Sequence, residues 1–168
     1  MTAIRTPRLI VRSSEPADAD TVHAIFSDPE AMRYIPGGAF DHRARCERWV
    51  TRMRDLEAAR GYAMFAVTAA ASADVLGFCG VVPLAPDPDA AVELAYHLKR
   101  TAWGMGYATE AARAVVDWTF ANTPLTQLLG LTFPAHVVSQ RVLTKVGFTY
   151  RGLAEEYGMT MKEYVIGR

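Results

Sequence analysis

The chain is poor in the features that mark disulfide scaffolds, metal proteins and membrane proteins. Only Cys46 and Cys79 carry thiols. They fall in a predicted helix and a predicted strand, at no spacing typical of a disulfide framework or a zinc site. Four histidines are scattered without a metal-ligand pattern, so no metal is expected. Lysine plus arginine equals aspartate plus glutamate at 18 each. That balance removes the field that would draw nucleic acid or an anionic membrane. No apolar run approaches the ~20 residues that span a bilayer. The segment from Met1 to Arg8 lacks the apolar core of a signal peptide. Together with two free thiols, this makes a cytoplasmic protein the expectation. A G-x-x-x-x-G-K-[ST] segment is missing, which disfavours ordinary P-loop chemistry and a nucleotide-binding adaptor.

What is present is an apolar half, 51% of 168 residues, without repeats or low-complexity linkers. One mixed α/β domain over residues 1–168 is expected. Leu9 to Arg12 reads as a strand, and a helix follows from about Ala17 to Phe26 with Pro16 at its first position. The loop Pro36-Gly37-Gly38 precedes a long helix ending at Arg60. Asp41 is its candidate cap and Gly61 its stop; Cys46, Trp49, Val50, Met53 and Leu56 recur at helical spacing. Tyr62 to Thr68, Val75 to Leu84 and Ala91 to Leu98 read as three strands. A helix to Asn122, a strand from Gln127 to Phe133 and a short helix from Ser139 to Val146 come next. Thr149 to Tyr157 and Lys162 to Ile166 close the chain as a hairpin. Three consecutive strands predict an antiparallel meander, and the strand–helix–strand unit adds a parallel neighbour. Such a junction can splay into a crevice.

The segment Trp103-Gly104-Met105-Gly106-Tyr107-Ala108-Thr109-Glu110 lies where the third of these strands turns into a helix. Unpaired amides and the positive end of the helix dipole make that start a seat for a phosphate-type anion. Glycine allows positive φ and close approach of a ligand to the backbone.

Four segments carry a family resemblance. They are Thr6 to Arg12, Ser27 to Tyr34, Trp103 to Ala111 and Ser139 to Phe148. In this order they resemble the GCN5-related N-acetyltransferase superfamily, in particular the branch containing RimJ and RimL. The resemblance implies a mixed, mostly antiparallel twisted sheet of about seven strands with a splayed central crevice and about four helices. It implies acetyl-coenzyme A as co-substrate. The pyrophosphate would rest on the amides of Trp103, Gly104, Met105, Gly106, Tyr107, Ala108 and Thr109, and the pantetheine arm on the backbone of Leu98 and Lys99. A homodimer is compatible with the superfamily. The chain also departs from the pattern. Thr101 stands in place of Gln or Arg, and His136 in place of an Asn that touches the pantetheine or the acceptor. Leu143 stands where many members carry a tyrosine acting as general acid.

Acetyl transfer needs a neutral amine, a polarised thioester and a stabilised thiolate. Holding an α-amine of pKa near 8 neutral at pH 7 costs about 1.4 kcal/mol, and a lysine about 4–5 kcal/mol. A weak base therefore suffices for the first. Glu93 is the preferred base; alternation puts it on one strand face with Ala95 and His97. Its other reading is a solvent-face glutamate. Glu156 is a second candidate base, with Glu155 and Tyr157 beside it at the end of the hairpin. Tyr157 and Tyr164 can each be read as crevice or core residues. Ser139, at a position where RimL-like members carry a serine, is the candidate catalytic group that contacts the pantetheine sulfur or protonates the thiolate. It can equally be a helix N-cap, and both can hold at once. Arg43, Arg45, Arg48, Arg52 and Arg54 read as the wet face of the long helix. The expected activity is direct transfer of acetyl to a primary amine, either a peptide N-terminus or a small molecule. The alternative is a non-catalytic module that binds or senses acyl-coenzyme A, and the acceptor is unreadable.

Overall fold

The computed structural model describes residues 3–168. Eight strands form a single open sheet in the order β1-β2-β3-β4-β5-β6-β8-β7. They are β1 (Ala3–Arg5), β2 (Leu9–Arg12), β3 (Met64–Ala69), β4 (Val75–Pro83), β5 (Val92–Leu98), β6 (Gln127–Thr132), β7 (Thr149–Glu156) and β8 (Met159–Gly167). Four α-helices flank the sheet: α1 (Ala19–Phe26), α2 (Arg43–Arg60), α3 (Tyr107–Asn122) and α4 (Val137–Val146). The strand absent from the sequence reading is β1, three residues long and antiparallel to β2. A run that short carries no readable period.

The helices stop where their chemistry predicts. Pro16 opens a 3-10 turn that leads into α1. Gly61 ends α2 at φ 77° and Gly147 ends α4 at φ 115°, both in the left-handed region that glycine tolerates. Two predicted caps are corrected. His42, not Asp41, holds the N-cap position of α2 and makes no side-chain cap bond. Asp41 instead meets His23 Nε2 at 2.6 Å, tying the approach to α2 onto α1. The N-cap of α4 is His136, which leaves Ser139 inside the first turn.

The strand pattern explains the layers. β3 is buried almost throughout, as a central strand covered on both faces must be. On one face Val22, Ile25 and Phe26 of α1 and Cys46, Val50 and Met53 of α2 pack on Met64, Ala66 and Phe78. On the other, Ala111, Ala112, Val115 and Val116 of α3 cover Val11, Phe65, Val67, Cys79 and Val81. Leu143 and Val146 of α4 extend this second core toward Leu128.

The meander β2-β3-β4-β5 is antiparallel, and β5 runs parallel to β6. Their shared register is a single pair, Glu93 with Leu129. Beyond Glu93 the two strands part, so the carboxyl half of β5 borders a gap. This is the crevice the topology predicts.

Candidate active site

The glycine segment follows the carboxyl end of β5, the half of the strand that borders that gap. Lys99 to Trp103 make a 3-10 turn after β5, and Gly104 and Gly106 follow at φ 76° and 79°. A side chain at either position would be strained in this region, about 1–2 kcal/mol for a residue with a Cβ. Around a Cβ built on Gly104 there is nothing within 4 Å. Gly106 is the N-cap of α3, and the first bond back to the turn comes from Glu110 N–H to Gly106 O at 3.1 Å. The amides from Gly104 through Thr109 find no protein acceptor among the described residues. A helix start with free donors, open space over Gly104 and the Arg8 guanidinium 3.4 Å from a Cβ built on Gly106 fits a pyrophosphate.

Trp103 differs from its neighbours. Its amide already donates to Arg100 O at 3.0 Å, and its indole Nε1 donates to Leu98 O at 2.9 Å. It braces the turn instead of lending it an amide. Lys99 is likewise committed, since its N–H donates to Leu76 O at 2.9 Å. Antiparallel alternation then turns the N–H of Leu98, paired with Gly77, away from β4 and toward the gap.

Arg8 and Glu110 hold the turn from behind. Glu110 accepts from Thr6 Oγ1 at 2.6 Å, Arg8 N at 3.0 Å and Arg8 Nε at 2.7 Å. Arg8 NH1 donates to Met105 O at 2.9 Å, and its guanidinium lies over the Tyr107 ring. These bonds hold the Glu110 carboxyl below its ordinary range against the desolvation that would raise it. The sequence displays Thr6, Arg8 and Glu110 in its motifs. It does not display that they meet.

A cleft of about 390 Å³ opens beside β5, bordered by Glu93, Tyr96, His97, His136, Ser139 and Tyr157. Glu93, Ser139 and His136, predicted separately, therefore share one cavity. Glu93 and Tyr96 lie on opposite faces of β5, and both reach the cleft because the strand edge is free there. Burial pushes the Glu93 carboxyl up to about 7. A hydrogen bond donated by the Tyr157 hydroxyl to Glu93 Oε1 opposes this rise, and the charge of Glu156 adds to it. The solvent-face reading of Glu93 is thus corrected. His97 packs edge-on against Phe26, and burial lowers its pKa to about 4, so the ring is neutral. His136 stacks on Tyr34 with centroids 4.4 Å apart, and partial burial lowers its pKa too.

Ser139 is nearly enclosed, at 8% exposure, and its Oγ lies 2.8 Å from the Tyr96 hydroxyl. Leu143 is buried at 1% and apolar, so it supplies no proton. The hairpin residues separate by role. Tyr157 reaches the cleft, while Tyr164 is a core residue packed near Tyr150. Glu155 accepts from Thr160 Oγ1 at 2.5 Å within its own hairpin. Of the arginine series, Arg52 borders the cleft, and Arg43 pairs with Asp20 and Glu47 on the helix surface. Tyr34, Ile35 and Pro36, from the segment leading to α2, border the same cavity.

Sequence reasoning missed Tyr96. Alternation places it opposite Glu93, and no local signal links it to a serine 43 residues later.

Comparison with known proteins agrees with this geometry. The acetyltransferase (GNAT) domain profile matches residues 8–149. The chain is 29% identical over 164 residues to the protein YkkB of Bacillus subtilis (strain 168), covering 97% of this chain and 94% of YkkB. It is 27% identical over 157 residues to the N-acetyltransferase p20 of Bacillus licheniformis, covering 94% and 88%. The fold matches an acetyltransferase from Agrobacterium tumefaciens str. C58 with TM-score 0.86 at 24% identity, covering 100% and 95% of the two chains. It also matches RimL, a ribosomal L7/L12 α-N-protein acetyltransferase in complex with coenzyme A. There the TM-score is 0.84 at 14% identity, covering 99% and 98%. With its glycine turn, parted strands and matched profile, the chain belongs to the GNAT family of N-acetyltransferases.

Proposed function

We propose that this chain transfers acetyl from acetyl-coenzyme A directly to a primary amine, with Glu93 as base. The observation that carries the reading is Glu93. It is a carboxyl held near neutrality in the cleft, at the point where β5 leaves β6. A base whose pKa lies near the working pH combines a large deprotonated fraction with useful proton affinity. The free amides from Gly104 to Thr109 would take the pyrophosphate, on a turn braced from behind by the Arg8–Glu110 pair. Leu98 N–H would receive the pantetheine arm or the carbonyl oxygen of the thioester.

The reaction needs no acyl-enzyme. The amine nitrogen bonds to the thioester carbonyl carbon, its proton passes to Glu93 directly or through water, and the C–S bond then breaks. The electron pair leaves on sulfur. Both cysteines are buried and neither borders the cleft, and burial raises the pKa of Cys79 strongly. His97 and His136, kept neutral, add no charge to repel an incoming ammonium. A free α-amine needs only weak help to become neutral, so a peptide N-terminus or a small α-amine fits Glu93 better than a lysine side chain.

The test is release of free coenzyme A thiol from acetyl-coenzyme A against peptide N-termini, amino acids, polyamines and aminoglycosides. Turnover with at least one amine is expected. For that amine Glu93→Gln should lower kcat about 100-fold or more, the scale of a lost general base. Wild-type rates in Glu93→Gln at every pH would remove Glu93 from this role.

A further inference from the structure

Resting on the acetyl-coenzyme A reading above, we propose that Tyr96 positions Ser139 to hold the departing sulfur. It thereby supplies from β5 what Leu143 cannot supply from α4. The Tyr96 hydroxyl lies 2.8 Å from Ser139 Oγ and 3.2 Å from Ser139 O. Ser139 lies in the first turn of α4; the phenol donates to its carbonyl, and between the two hydroxyls either can be the donor. When the phenol proton turns to Ser139 Oγ, the serine proton is free to point elsewhere. Apart from the Tyr96 oxygen, no acceptor for it is found among the described residues. The cleft is the direction left open, since Ser139 and Tyr96 both border it. The phenol also ties β5 to α4 across the gap where β5 and β6 have parted.

The alternative donor position is closed. Leu143 is 1% exposed, and its side chain fills the space over Gly130, where an added Cβ would lie 2.6 Å from Leu143 Cδ2. Burial raises the Tyr96 pKa, so the phenol stays protonated through the working pH range. A protonated phenol can donate to Ser139 Oγ, and it is not the source of a proton for sulfur. As the C–S bond breaks, sulfur keeps the electron pair and accepts a hydrogen bond from Ser139 Oγ–H. The thiolate takes its proton from water on release, and the proton on Glu93 returns to water. Atoms and charge balance without a tyrosinate.

Ionisation of the bound product reads this arrangement without any acceptor amine. Thiolate absorbance of bound coenzyme A is titrated against pH, as a difference from the same protein without coenzyme. Wild type, Tyr96→Phe, Ser139→Ala and the double variant are compared. In wild type the bound thiol should ionise below the free value of about 8.5. Each single variant should raise the bound thiol pKa by about one unit, tenfold less thiolate at a given pH. The double variant should move it no further than Ser139→Ala alone. Once an acceptor is known, Tyr96→Phe should lower kcat with the KM for acetyl-coenzyme A unchanged. A bound thiol pKa that is unshifted in wild type, or the same in Tyr96→Phe as in wild type, overturns the proposal. So does a double variant whose shift equals the sum of the two. Failure of the wild-type protein to bind coenzyme A would overturn the functional reading itself, and this inference with it.

Discussion

Tyr157 occupies a conformation that few tyrosines adopt. It stands at φ 56° and is followed by Gly158 at φ 71°, as the two central residues of the turn between the paired Glu156 and Met159. Two successive positive φ values make a tight hairpin turn whose twist suits antiparallel strands. A tyrosine there costs backbone energy that asparagine or glycine would avoid. Its hydroxyl ends on Glu93, and that bond favours the charged carboxylate. Removing it in Tyr157→Phe should raise the Glu93 pKa above about 7 and move the acid limb of the kcat/KM–pH profile upward. A limb left in place would separate Tyr157 from the base. The same carboxyl has a signature in stability. Its pKa rises from about 4.3 unfolded to about 7 folded, so the folded state holds the proton more tightly. Its stabilising contribution is full below about pH 4.3 and is lost as pH rises through 7. Glu93→Gln should therefore gain thermal stability over wild type at pH 8 relative to pH 5. Equal differences at both pH values would contradict the burial of Glu93. The sequence made Glu93 a candidate through alternation. It did not contain the desolvation or the tyrosine, which come from α2 and the last hairpin folding over the strand.

At the scale of elements, glycines decide which strands can approach. A Cβ on Gly80 would lie 2.0 Å from Ala63 O and 2.5 Å from Met64 Cα, both backbone atoms of the approach to β3 and of β3 itself. At Gly130 the conflict is with the end of the Leu143 side chain. Gly130→Ala should cost about 1–3 kcal/mol, because a side chain can shift where backbone cannot. Gly80→Ala should cost more than Gly130→Ala. Urea denaturation compares the two, and the reverse order would show that β3 and β4 adjust more readily than α4. The helices and most strands were legible because caps, stops and periodicity are local. β1 was not, nor were the caps of α2 and α4, since Asp41 turned to His23 and His136 took the place expected of Ser139. Competing tertiary partners outweighed local capping preference.

The whole molecule is a sheet whose halves are joined at β5 and β6 by one registered pair. A ligand lying along the open edge of β5 would add contacts at this junction. At a coenzyme concentration 100 times its Kd, binding should stabilise the fold by about 2.7 kcal/mol. That corresponds to a rise in Tm of roughly 5–10 °C for a chain of this size. Gly106→Trp, which combines left-handed strain with bulk over the free amides, should abolish the rise. A full shift in that variant would place the pyrophosphate elsewhere. Among the described residues no helix is long and apolar enough to cross a membrane. The charges balance at 18 of each sign, so no net field favours a polyanion.

By itself the sequence determined the order of most elements, the glycine turn into α3 and the family. Each rests on residues adjacent in the chain or on a period a few residues long. Tertiary structure alone decided that Glu93 is desolvated and that Trp103 and Lys99 spend their amides on the fold. It also decided that Arg8 braces a turn 97 residues away and that Tyr96 meets Ser139. Those outcomes depend on distances between elements, and such distances are set by packing across the sheet. The cleft belongs to the same class. Tyr34, Arg52, Glu93 and Tyr157 come from four separate parts of the chain, and only the folded sheet and its helices bring them to one cleft.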